Sequence, residues 1–409
     1  MTGRYPEPAY ARHDAYFRRH ALPTPCLLLD LDAVAEQLRR LRAALPDAEV
    51  YYAVKANAEP ELLRLLADAG CGFDVASPGE IDRCLAAGAA PERISYGNTV
   101  KKRADIAYAH RLGVPLFAFD SAEELEKLAA AAPGADVMCR VTVVTTGAQW
   151  PISRKFGCSA DDARVLLRRA RDLGLNPYGC TFHVGSQQRN PASWDEGIGH
   201  AARLFAGLAE DGIELGLLNL GGGLPAGYDA AVPALETYGK AITDAIGHHF
   251  PSPPRTVIEP GRYLPADAGL VRSEVVLVTE RTEPVRRRWA YVDAGRFGGL
   301  AETEGEAIRF PLTVTRDGAP VAPGTAPAVL AGPTCDSADV LYENTPADLP
   351  LDLRPGDHVD FLAAGAYTVP YSSVGFNGFP PAARLLLLRG GRQRRRRDGR
   401  VNTGTGTRA

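Results

Sequence analysis

The 409-residue sequence contains no CxxC pair and no Cys/His spacing suited to a metal. Its seven cysteines, Cys26, Cys71, Cys84, Cys139, Cys158, Cys180 and Cys335, are scattered and mostly sit inside apolar runs. A structural zinc site and a disulfide framework are therefore not expected, and no metal is assigned. An odd number of dispersed thiols fits a reducing cytoplasm. No stretch approaches the roughly 20 apolar residues that span a bilayer, and the polar, Arg- and Tyr-rich segment from Met1 to His20 has no secretory apolar region. A formal net charge of −3 gives no sign of a nucleic-acid or membrane partner. From Arg389 to Ala409 almost nothing is available for burial. That tail is expected to be disordered, its arginine run a solvated extension rather than a contact for RNA or an anionic surface.

Hydrophobic residues make up 45% and charged residues 23%, enough to build a large core, and the length suggests two or three domains. Short apolar runs alternate with stretches of helical periodicity. The runs are Val50–Val54, Gly72–Val75, Ile94–Tyr96, Leu116–Phe119, Val137–Val141, Tyr178–Phe182, Leu217–Leu220 and Thr256–Ile258. Helices are predicted over Glu59–Ala69, Pro78–Ala87, Ala122–Ala131, Asp161–Leu173 and Ser193–Glu210. Eight such units predict a parallel (β/α)8 barrel over 31–265, with a doubly wound sheet as the alternative. After Leu264 the pattern turns strand-like, at Glu274–Val278, Trp289–Val292, Ile308–Val314, Ala328–Leu330 and His358–Leu362. These predict an all-β domain over 266–388. Within the first 30 residues, Leu27–Asp30 is a further strand that joins it.

Reactive residues follow nearly every barrel strand, the end at which barrel enzymes do their chemistry. They are Lys55 and Asn57, Asp74 and Ser77, Asn98, Arg140, His183 to Ser186, Gly221 to Gly223, and Glu259 to Arg262. A lysine closing an apolar strand is partly buried, and desolvation lowers its pKa and makes it a nucleophile towards carbonyls. Alone, Lys55 also fits a snorkelling strand end. Three glycines after strand seven suit close approach of backbone N–H groups to an anion, though flexible turns read the same. Glu259 suits a hydrogen bond from a protonated pyridine nitrogen and Arg262 a phosphate or carboxylate, while a plain Glu/Arg ion pair explains them equally. His183 fits either a residue lying flat on a planar cofactor or a satisfied structural histidine.

Seven motifs together resemble the ornithine/lysine/diaminopimelate decarboxylases, pyridoxal-phosphate enzymes of fold type III. They are Tyr52–Asn57 (YAVKAN), Gly72–Ser77, Phe182–Ser186, Gly221–Gly223, Glu259–Tyr263, Gly332–Ser337 and Gly365–Tyr367, in family order over about 22–380. The resemblance implies that Lys55 carries pyridoxal phosphate as a Schiff base, His183 stacks on its ring and Glu259 holds the pyridinium proton. It places Asp74 and Arg140 along the site, and Ser186, Gly221, Gly222, Gly223, Gly261, Arg262 and Tyr367 around the phosphate. It implies a homodimer in which Cys335 and Asp336 enter the neighbouring subunit's site, with Cys335 reprotonating the α-carbon. Asp336 stands where diaminopimelate decarboxylases usually carry glutamate, and so points to a basic substrate. Counting nine residues from the aromatic Phe297 reaches Glu306 as a second acid for the distal ammonium, unless that acidic run is a solvated loop. L-Ornithine is the expected substrate, then L-lysine, then arginine or another diamino acid. An alanine racemase usually sets an arginine where Glu259 stands, and a non-catalytic relative tends to lose the cofactor residues kept here.

Overall fold

The computed structural model describes residues 7–150, 155–228, 231–321, 324–379 and 382–387. The expectation for the tail at 389–409 lies outside them, as do the first six residues.

Eight parallel strands close into a barrel. They are β1 (Ala48–Ala53), β2 (Gly72–Val75), β3 (Ile94–Tyr96), β4 (Leu116–Phe119), β5 (Asp136–Arg140), β6 (Asn176–Thr181), β7 (Leu217–Asn219) and β8 (Arg255–Ile258). Each pairs with its chain neighbour, β8 closes on β1 and β6 pairs with both β5 and β7. This is the predicted barrel and excludes the open sheet.

Helix starts follow from local chemistry. Ser77, Ser121 and Ser159 stand at N-caps, where each hydroxyl accepts an N–H that no helical carbonyl can reach. The helices then present apolar stripes to the outside of the barrel, such as Leu62, Leu63 and Leu66, or Leu166 and Leu167.

Inside the barrel the two-residue strand period sorts the side chains. Tyr51, Leu116, Ala118, Met138, Leu217 and Val257 form a separate apolar cluster that fills the lumen. Two residues further along their strands stand Arg140, Asn219 and Glu259, so the lumen changes from apolar to ionisable towards the C-terminal rim.

The β domain is a nine-stranded sheet among the described residues. Its central strand, Gly269–Arg281, follows the barrel directly and pairs with His358–Phe361, Arg287–Val292 and Cys26–Asp30. The strand containing Leu27–Asp30 pairs with Gly269–Arg281 of this sheet. Three features differ from the sequence expectations. The strand predicted over Ile308–Val314 begins only at Leu312, after a 3-10 segment at Ala301–Glu306. A short ladder joins Ala148–Trp150 to Ser186–Gln188 above the rim. The polar N-terminus forms a helix, Glu7–Arg19, and buries Tyr16 and Phe17.

Candidate active site

At the C-terminal rim the barrel and the β domain enclose a cavity of about 660 Å3. The β domain reaches back to the rim through Gly365–Tyr367. Asn57 Nδ2 donates to Gly365 O at 2.8 Å, and Tyr367 N donates to Ala56 O at 2.9 Å. Gly365 lies so close to the barrel that a Cβ would sit 1.8 Å from Pro265 O, so only glycine permits this contact. Tyr367 follows in the left-handed region, at φ 54°, a strained conformation for a tyrosine that the flanking contacts hold in place.

Lys55, Asp74, His183, Ser186, Gly222, Gly223, Glu259, Gly261, Arg262 and Tyr367 all line this cavity. Arg140 and Gly221 are not among the lining residues, though the charge of Arg140 acts on Lys55, His183 and Glu259. Lys55 lies in a 3-10 turn just past β1 and is exposed to the cavity although protein surrounds it. Its burial works to lower the ammonium pKa, as expected from sequence, but Tyr367, Asp74 and Glu259 outweigh that and leave it raised. The sign is therefore reversed: Tyr367 first, then Asp74 and Glu259, outweigh burial and the charge of Arg140.

Those carboxylates are themselves held high. Burial pushes the Asp74 carboxyl well up, Glu259 adds to this, and one Asp74 oxygen is buried without a hydrogen-bond partner. Burial also raises Glu259, opposed by a hydrogen bond from Asn219 and by the charges of Lys55 and Arg140. Asn219 Nδ2 donates to Glu259 Oε1 at 2.5 Å, while its Oδ1 accepts from Gly221 N at 2.9 Å. His183 is held neutral, well below the usual imidazole range, by burial and by the charges of Arg140 and Lys55. Its Nδ1 accepts from Gly185 N at 2.9 Å, which places the proton on Nε2. Gly222 passes so close that a Cβ there would sit 2.7 Å from Glu259 O and 3.2 Å from His183 Nε2.

Arg262 is buried, with every N–H engaged. Nε and NH2 donate to Ser186 Oγ at 3.3 and 3.2 Å, and NH1 donates to Tyr228 Oη at 2.8 Å. Both terminal nitrogens grip the Glu302 carboxylate, at 2.8 and 2.7 Å. The Tyr367 ring covers the guanidinium at 4.8 Å.

The expected substrate-binding residues are not in this chain's cavity. Cys335 is exposed, and its Sγ lies 3.5 Å from Asn377 Oδ1. Phe297 packs on Phe376 at 4.6 Å. Asp336 accepts Ala338 N within its own turn. Glu306 accepts Asn344 N at 2.6 Å, bonds the Thr345 hydroxyl and lies 3.5 Å from Arg309. These contacts turn Glu306 away from the cavity. Glu302, four residues earlier on the same 3-10 segment, is the acid that lines it. Asn219, Tyr228 and Glu302, which belong to none of the seven motifs, also contact site residues. The two-residue period from Leu217 marks Asn219 as inward-facing, whereas nothing comparable marks Tyr228.

The residues present fit pyridoxal phosphate. A lysine faces a carboxylate across a slot with a neutral imidazole on its wall, a buried carboxylate oxygen lacks a partner, and glycine backbone and an arginine gather on one side. A barrel capped by a β domain, with a lysine after its first strand, is the architecture of fold type III pyridoxal-phosphate enzymes.

Comparison with known proteins agrees. The family described as pyridoxal-dependent decarboxylase, pyridoxal binding domain, matches residues 31–266. The lysine/ornithine decarboxylase of Selenomonas ruminantium is 36% identical over 373 residues, covering 90% of each chain. The ornithine decarboxylase of Schizosaccharomyces pombe is 34% identical, covering 88% of this chain and 82% of that one. A solved lysine/ornithine decarboxylase from Vibrio vulnificus, complexed with cadaverine, superposes with a TM-score of 0.82 at 31% identity, covering 92% of this chain and 98% of the other. The chain belongs to the pyridoxal-phosphate-dependent amino-acid decarboxylases of this family.

Proposed function

We propose that this enzyme decarboxylates a basic L-amino acid, L-ornithine to putrescine first and L-lysine second, in a homodimer with shared active sites. The observation that carries this reading is the pairing, within one cavity, of Lys55 with a Glu259 carboxylate backed by Asn219. An acid rather than an arginine facing the cofactor nitrogen suits decarboxylation over alanine racemisation. The named activities of the Selenomonas and Schizosaccharomyces relatives support a diamino-acid substrate.

In this reading Lys55 would hold the cofactor covalently. Neutral His183 would stand beside it without adding a charge. Glu259 would accept a hydrogen bond from its ring nitrogen, with Asp74 and Arg140 completing the charge balance. Ser186, Gly221, Gly222, Gly223, Gly261, Arg262 and Tyr367 would hold its phosphate. When bound, pyridoxal phosphate supplies an electron-accepting ring for the charge left as CO2 departs.

Cys335 and Asp336 serve the site of a second copy, Cys335 delivering a proton to the α-carbon and Asp336 accepting the distal ammonium. Three observations support this. Cys335 is exposed, the 372–379 segment links it to the cavity edge through Asn377 and Val374, and Tyr371, Val374, Phe376 and Phe379 leave an exposed apolar patch there. Phe297, packed on Phe376, belongs to the same patch. Glu306 would reach the substrate end only by leaving Thr345 and Arg309, so Asp336 is the primary acid. The reducing cytoplasm is the proposed compartment, and among the described residues no helix is long and apolar enough to cross a membrane.

Release of CO2 from L-ornithine, L-lysine, L-arginine and meso-diaminopimelate tests the reading. L-Ornithine is expected to give the highest kcat/KM, with measurable L-lysine turnover, because one methylene is worth only about 1–3 kcal/mol of discrimination. A preference for diaminopimelate would overturn the assignment of Asp336.

A further inference from the structure

Asn219 joins two parts of the cavity that the chemistry needs at once. It is 1% exposed and stands on the inner face of β7, two residues beyond Leu217 of the lumen cluster. A carboxylate only accepts and a backbone N–H only donates, so the contacts with Glu259 and Gly221 fix the amide's orientation, and Nδ2 also lies 3.7 Å from Met138 Sδ. Nδ2 points to Glu259 Oε1 at 2.5 Å and Oδ1 receives Gly221 N at 2.9 Å. Gly221 opens the glycine loop in the left-handed region, at φ 62°. One side chain therefore fixes both the carboxylate and the first residue of the loop.

We propose that Asn219 is a positioning residue for the known reaction: its amide N–H keeps Glu259 in the acceptor state that holds a proton on the cofactor's pyridine nitrogen. The inference rests on the proposed role of Glu259 opposite that nitrogen. A buried carboxylate and a pyridine share one proton, and the proton sits on nitrogen only if the carboxylate anion is stabilised. Lys55 after β1, Asp74 on β2 and Arg140 on β5 act on the same carboxylate, and His183 after β6 lines the same cavity. Lys55 and Arg140 favour the anion, Asp74 disfavours it, and His183 is neutral. Asn219 is the one side-chain hydrogen-bond donor to Glu259 among the described residues. A hydrogen bond to a charged group shifts such an equilibrium on the order of tenfold or more.

The test uses holoenzyme reconstituted with pyridoxal phosphate carrying heavy nitrogen in the ring, read by nitrogen NMR. Wild type is expected to show a protonated ring nitrogen. Asn219→Leu, of similar volume but with no donor, is expected to move the signal towards the unprotonated range. It should also lower kcat by about tenfold or more, with KM changed less than about threefold. Asn219→Ala removes the same donor without added bulk and serves if the leucine variant folds poorly. Asn219→Asp, protonated in this acidic pocket, can still donate to Glu259 and is expected to restore the wild-type signal near about pH 6. A purely structural asparagine would leave the ring signal unmoved in the leucine and alanine variants, and that result overturns the proposal. Glu259→Gln is the reference arm. If that variant also leaves the signal unmoved, the fault lies in the placement of Glu259 opposite the nitrogen.

Discussion

Arg262 and Glu302 meet fork to fork, two N–H groups on two carboxylate oxygens at 2.7 and 2.8 Å, with both side chains almost fully buried. The pair connects the end of the last barrel strand to the 3-10 segment of the β domain, beside the proposed phosphate site. Removing one partner of a buried pair leaves an uncompensated charge, which typically costs about 3–5 kcal/mol.

Glu302→Ala should therefore destabilise the apoenzyme by roughly that amount in denaturant unfolding. Saturating pyridoxal phosphate should recover part of the loss, because its phosphate supplies an anion to Arg262. An equal loss with and without cofactor would mean that the phosphate does not meet this guanidinium.

A second prediction concerns pH. Asp267, beside Gly227, is pushed up to about 6 by burial, against a hydrogen bond from Gly227 N and the charge of Arg40. Its folded-state pKa lies above its unfolded value, so the folded state binds the extra proton between them. Stability from this group is thus lost as pH rises from about 4 through about 6. Asp267→Asn keeps an acceptor for Gly227 N and removes the titration. The variant should match wild type near about pH 4 and exceed it at about pH 8 by at most about 3 kcal/mol. Thermal unfolding at the two pH values checks this, and a less stable variant at the higher pH would contradict it.

The proposed sharing of sites between two copies gives a complementation test. Lys55→Ala and Cys335→Ala are each expected to be nearly inactive as homodimers. Mixed, they form hybrids with one site carrying both Lys55 and Cys335, and decarboxylation should reappear. Mixing without recovery, under conditions in which subunits exchange, would count against a site shared between the two chains.

What the sequence revealed and what it concealed divide along physical lines. Asp74, Arg140 and Glu259 stand at or just past the C-terminal ends of short apolar runs, so the sequence alone points to them as residues of the barrel mouth. The barrel was legible for the same reason, each short apolar run ending in a polar or glycine residue. The acidic run at 302–306 has no such period. Gly305 and Glu306 both turn into the left-handed region, at φ 59° and 57°, so a count from Phe297 could not tell which acid faces inward. The structure gives the cavity to Glu302 and ties Glu306 to Thr345. The helix at Glu7–Arg19 was hidden because its buried residues, His13, Tyr16 and Phe17, are few and stand among arginines, a composition that also fits a solvated segment.

The central claim, that Lys55 is the residue to which pyridoxal phosphate attaches, is tested most directly by reducing the holoenzyme with borohydride, digesting it and locating the cofactor mass by peptide sequencing. The modification is predicted on the peptide containing Tyr52 to Asn57, at Lys55, with loss of the visible absorbance in proportion. Attachment at another lysine, or no attachment in protein that holds the cofactor, would contradict the account.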